Sequence, residues 1–108
     1  MSQDEQKQLI QDVKDYLKIS WIDATTDKNL LGMIKRGMAY LNNISGTTLN
    51  FIEEDLPRAL LFDYVRYANS QALEVFSLNF LCELTDLHYS SQAALIKLDA
   101  RESGISED

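Results

Sequence analysis

Cysteine, histidine, proline and tryptophan each occur once in this chain of 108 residues, and glycine only four times. A lone Cys82 excludes an intramolecular disulfide and fits folding in a reducing compartment. The single histidine, His88, stands six residues from Cys82, about 120° round a helix, so no local Cys–His pair is available for nucleophilic catalysis. Neither H-x-x-x-H nor C-x-x-C nor an EF-hand loop is present, which removes the common metal signatures. A phosphate loop and G-x-G-x-x-G are also missing, and with them the nucleotide signatures. The acidic run Glu53-Glu54-Asp55 could hold a hard cation, but reads more simply as the approach to a helix start. No catalytic residue, metal site or cofactor is therefore expected, and no enzyme.

Long apolar runs are lacking too. None approaches the ~20 residues that cross a bilayer, and the opening MSQDEQKQLI is too polar for a signal or transit peptide. The expectation is a soluble chain made in the cytosol. Basic residues are scarce, 10 against 17 acids, for a net charge of −7. Phosphate backbones are held by clustered Lys and Arg, so wrapping around nucleic acid is not expected. A surface that DNA slides past without sticking remains compatible.

What is present is helical periodicity. Hydrophobic residues make up 45% of the chain, and folding at this length removes about two-thirds of the exposed surface. That allows one modest core without metal or disulfide. Leu9, Val13 and Leu17 at i, i+4, i+8 predict a short helix over 4–18. Trp21, in the connector ISWI, is expected to pack down on the domain. The run DATTD (23–27) offers capping oxygens, and a second helix from about 27 to 44 carries Leu30, Leu31, Ile34, Met38, Leu41 and Ile44 as its stripe. Ser45-Gly46 ends it. The loop 47–55 is expected to tuck in Leu49, Phe51 or Ile52. The predicted fold class is all-α, a small helical bundle of three main helices (short N-terminal, middle, long third) with an extended C-terminal tail.

The third segment, 56–87, changes its apolar side partway. At 100° per residue, Leu60, Leu61, Tyr64, Val65, Ala68, Ala72, Val75 and Phe76 share one arc, and Leu31, Ile34, Met38 and Leu41 are expected to pack on its first half as an antiparallel pair. Phe80, Leu81, Leu84 and Leu87 take the other side, where Phe62 and Leu73 already lie. A helix in a monomer needs one apolar face. Either the segment breaks near Ser77–Asn79, or it serves two partners. The second option makes Phe62, Leu73, Phe80, Leu81 and Leu84 a subunit interface.

The stretches LKISWIDATTDKNLLGMIKRGMAYLNNISG (17–46) and NFIEEDLPRALLFDYVRYANSQALEVFSLNFLCEL (50–84) resemble the small head–tail connector proteins of tailed bacteriophages. In that family a short helix leads through a Trp- or Asp-rich turn into a second helix with a Leu-Asn, Gly-containing stop. An acidic loop then precedes a long helix with a Tyr-x-Arg-Tyr and later Glu-x-Phe pattern, here Tyr64, Arg66, Tyr67, Glu74 and Phe76. The resemblance covers roughly residues 12–88, and the residues after Tyr89 match no pattern of the family.

The resemblance implies an all-helical virion protein of the head–tail interface, synthesised in the host cytoplasm. Its partners would be further copies in a ring, typically of twelve subunits, the portal protein above, and the next head-completion or tail protein below. DNA would pass through the channel without specific binding, and no membrane is involved. A closed ring needs a heterologous interface, two different patches per subunit, which suits a chain with two apolar faces. On this reading 1–90 form the helical connector domain. Residues 91–108 form an assembly arm, with Leu95, Ile96 and Leu98 anchoring it to the portal or a neighbour. Two other classes fit the same residues: a cytosolic helical adaptor or regulator that binds a partner's helix in an apolar groove, and an acidic DNA mimic.

Overall fold

A computed structural model describes residues 2–21 and 23–102, the last six of these as backbone only. Among the described residues there are five α-helices and no strand: α1 Gln3–Leu17, α2 Ala24–Ser45, α3 Leu56–Asn69, α4 Phe76–Asn79 and α5 Leu81–Glu102. A single 3-10 turn, Leu73–Val75, precedes α4. The chain is all-α as expected, but the long third segment is divided and residues 91–102 continue α5 as helix rather than as an extended tail.

Each start has a local cause. The Ser2 hydroxyl accepts from the Glu5 N–H, and the Glu5 carboxylate accepts from the Ser2 N–H, a reciprocal cap that satisfies two donors of α1. Asp23 accepts from the Thr25 N–H, so α2 begins three residues before the expected start, at the first acid of DATTD rather than the last. Asp55 caps α3, and Pro57 falls in its first turn, where the missing N–H costs nothing.

α1, α2 and α3 touch pairwise, and α5 packs on both α2 and α3. Leu9, Val13, Leu30, Ile34, Leu41, Leu60, Leu61 and Val65 form the fully buried centre. The expected pairing of α2 with α3 is thus found, except that Leu31 is half-buried outside the core while Leu30 lies within it. Gly37 marks the closest approach. A Cβ there would stand 2.8 Å from Leu61 Cδ1 and from Tyr64 Cδ1. Of the loop residues, Phe51 is buried and Ile52 exposed. Trp21 does not pack on the domain. It is 57% exposed, with its indole N–H directed at the Thr26 hydroxyl at 3.5 Å.

The change of apolar side comes from a break, and the break lies earlier than Ser77–Asn79. After Asn69 the Gln71 backbone turns left-handed, at φ 57°. The Ala72 N–H then bonds the Tyr67 carbonyl and the Gln71 N–H bonds that of Ala68, the paired reverse bonds of a Schellman stop. The chain folds back, and Phe76 drops into a nest of Tyr40, Tyr64, Tyr67 and Phe80 rings, all with centroids within 6.1 Å of its own. Leu84 and Leu87 follow it into the core.

α5 is then fastened to the end of α2. His88 donates from Nδ1 to the Ile44 carbonyl at 2.8 Å, and Gln92 Nε2 donates to the Ser45 carbonyl at 3.2 Å. These two side chains satisfy carbonyls that a helix end leaves free. The molecule measures 55 × 32 × 18 Å.

Candidate assembly surfaces

α5 carries two apolar strips. With Leu81 at zero and 100° per residue, Leu84, Leu87, Ser91 and Leu95 fall in an arc of roughly 80° that faces the domain. Leu84, Leu87 and Ser91 are buried and Leu95 half-buried. Leu81, Thr85, Tyr89, Ile96 and Cys82 fall in a second arc, centred about 130° away. Leu81, Tyr89 and Ile96 are 62%, 68% and 69% exposed. Leu73, Val75 and Leu78, in the turn and short helix before α5, are exposed as well. Isolated surface leucines are ordinary, but a strip along one helix face is the pattern of a contact surface.

The five residues expected at a subunit interface are therefore divided. Leu73 and Leu81 are exposed. Phe62 is half-buried, edge-on to Tyr16 and 4.6 Å beneath the Arg58 guanidinium. Phe80 is half-buried and stacked on Phe76 at 4.9 Å. Leu84 is a core residue, 6% exposed, and as α5 folds back it packs within its own subunit instead of lying at a free surface. The tail residues also separate. Leu95 turns toward the domain and Ile96 to solvent, while the Leu98 side chain and residues 103–108 lie outside the described residues. Tyr89 is not among the expected contacts, because it joins Leu81 and Ile96 on one face only when the helix continues unbroken past residue 90.

Several grooves flank the helices, and two matter here. One, of about 600 Å³, lies between the 47–57 connection and α5 and is lined by Leu49, Leu56, Pro57, Leu87, Ala94 and Leu95 with a few polar neighbours. The other, of about 490 Å³, runs between α1 and α3. Asp12, Asp15, Glu54 and Asp63 line it, together with Tyr16, Phe62 and Arg58. Arg58 is buried, and bonds Asp12 at 2.6 Å, Glu54 at 3.2 Å and the Phe51 carbonyl at 3.2 Å. The Tyr16 hydroxyl donates to Asp63, and that bond, aided by burial, raises its pKa above the ordinary tyrosine value. Burial raises that of Tyr40 likewise.

Among the described residues no group of three or more His, Cys, Asp or Glu could hold a metal ion, and no helix is long and apolar enough to cross a membrane. Cys82 is exposed and His88 is engaged with α2. Compared with protein families, curated proteins and solved structures, the chain matches none.

Proposed function

We propose that this chain is a structural subunit of a phage head–tail connector. It would assemble as a ring beneath the portal, extend the DNA channel, and present a surface to the next head-completion or tail protein. The observation that carries the reading is the outer strip of α5. Leu81, Tyr89 and Ile96 are large, apolar and exposed on a helix whose other face already completes the core. Burying such residues against a neighbour supplies the association energy, since a few large anchors dominate most interfaces. The resemblance of residues 12–88 to connector proteins supplies the identity of the assembly. Leu84 leaves the expected interface as a core residue, Leu81 keeps its place there, Ile96 moves from the arm to the same face, and Tyr89 joins them.

Sedimentation velocity and negative-stain microscopy over a concentration series test it. The wild-type chain is expected to form closed rings with a central opening. Leu81→Ser combined with Ile96→Ser is expected to remain helical and soluble but monomeric, because neither side chain supports the core. A double variant that assembles like wild type would remove the strip from the interface. The groove between 47–57 and α5 favours a second reading, an adaptor that seats a partner's helix. A wild-type chain that stays monomeric at every concentration would leave that reading in its place.

A further inference from the structure

Charge on this molecule is segregated, and the segregation bears on how copies meet. The outer face of α2 exposes Lys28, Lys35 and Arg36 and no acid. The one acid of that helix, Asp27, is engaged by Lys14 at 3.0 Å. Among the described residues none of Lys28, Lys35 and Arg36 pairs with a carboxylate within its own subunit. A chain of net charge −7 thus keeps three unpaired cations on one helix face. The groove between α1 and α3 has the reverse character. Four acids line it; Arg58 holds Asp12 and Glu54 and Arg66 holds Asp63 at 3.3 Å, so the groove stays net negative with Asp15 unpaired among the described residues. Because α2 packs against both α1 and α3, its outer face and that groove point away from each other.

We infer that, in the same subunit contact that the outer strip of α5 anchors, the basic face of α2 docks on the acidic α1–α3 groove of a second copy of this chain, an inference that rests on the ring reading above. Two such faces on opposite sides of one subunit form a dipole. An isologous pairing through either face would set like charges together, which disfavours it. A head-to-tail pairing sets opposite charges together and leaves one face of each kind free at the ends, so association continues until it closes. DNA is the other polyanion that such a helix face could touch. The same chain supplies its own acidic counterpart, and its overall charge repels phosphate.

Two charge-reversed chains provide the test. The first carries Lys28→Glu, Lys35→Glu and Arg36→Glu. The second carries Asp15→Lys, chosen because no base holds this groove acid among the described residues. Circular dichroism checks that both remain folded, and sedimentation velocity at low ionic strength reads assembly. Each reversed chain alone is expected to need about tenfold or more higher concentration than wild type to associate. Their mixture is expected to regain assembly, since every contact in an alternating ring again joins opposite charges. Wild-type association is expected to weaken as salt shortens the screening length. Reversed chains that assemble as readily as wild type would overturn the charge pairing and leave the ring reading standing. A mixture no better than its parts would also overturn it. A wild-type chain that never associates would remove both. Wild-type binding to a DNA duplex that the first variant loses, with its assembly unchanged, would assign the basic face to nucleic acid instead.

Discussion

Gly37 and Gly32 sit five residues apart on the same helix and are expected to respond to one substitution with opposite signs. A Cβ at Gly37 would meet Leu61 Cδ1 and Tyr64 Cδ1 at 2.8 Å, and Tyr64 Cγ at 3.2 Å. Leu61 is fully buried, and Tyr64 is held by ring contacts with Tyr40 and Phe76, so neither has room to retreat. Gly37→Ala is expected to lower stability by about 1–3 kcal/mol through overpacking, partly offset by the better helix propensity of alanine. At Gly32 the nearest atom is Arg36 Nη1, at 3.4 Å on a long exposed side chain. Gly32→Ala is expected to raise stability by about 0.5–1 kcal/mol, since little but backbone entropy changes. Urea unfolding of the two variants checks both signs. A Gly37→Ala protein as stable as wild type would show that α2 and α3 do not approach so closely.

Helix ends decided how much of the architecture could be read from sequence. The stop at Gly46 was legible, because glycine accepts the left-handed conformation it adopts there, at φ 77°. The stop at Gln71 was not. A glutamine at φ 57° carries no mark in sequence, because backbone bonds to Tyr67 and Ala68 and the burial of Phe76 impose it from outside the turn. The change of apolar side implied either a break or a second partner; the long third helix took the second partner, and the alternative break was set at Ser77–Asn79, several residues late. That displacement made Leu84 look like an interface residue when it belongs to the core. Of the outer strip, the sequence puts Leu81 at the subunit interface and Ile96 in the arm but leaves out Tyr89, because the three share one face only when the helix continues unbroken past residue 90. Gln71→Gly removes a Cβ from the left-handed region, where L-residues are disfavoured by about 1–2 kcal/mol. It is expected to raise the melting temperature by a few degrees. A fall would mean that the Gln71 side chain supports the turn.

For the whole molecule, the use of α5 on two sides is what separates a lone domain from an assembling subunit. Its inner face closes the core through Leu84 and Leu87 and ties to α2 through His88 and Gln92. Its outer face holds Leu81, Tyr89 and Ile96 in solvent. The radius of gyration, 16.0 Å, exceeds the roughly 13 Å of a compact chain of this length. Nature has left one reporter on the outer face. Cys82 is exposed, is the only thiol in the chain, and shares the arc of Tyr89 and Ile96. Its alkylation rate with a maleimide, measured on dilute and on concentrated protein, asks directly whether this face becomes covered. If α5 joins one copy to the next, the thiol is expected to react about tenfold or more slowly once the chain assembles, as buried thiols do, and to recover its rate in the Leu81→Ser, Ile96→Ser chain. Equal rates in dilute and assembled protein would contradict the proposal, because the copies would then meet through some other surface.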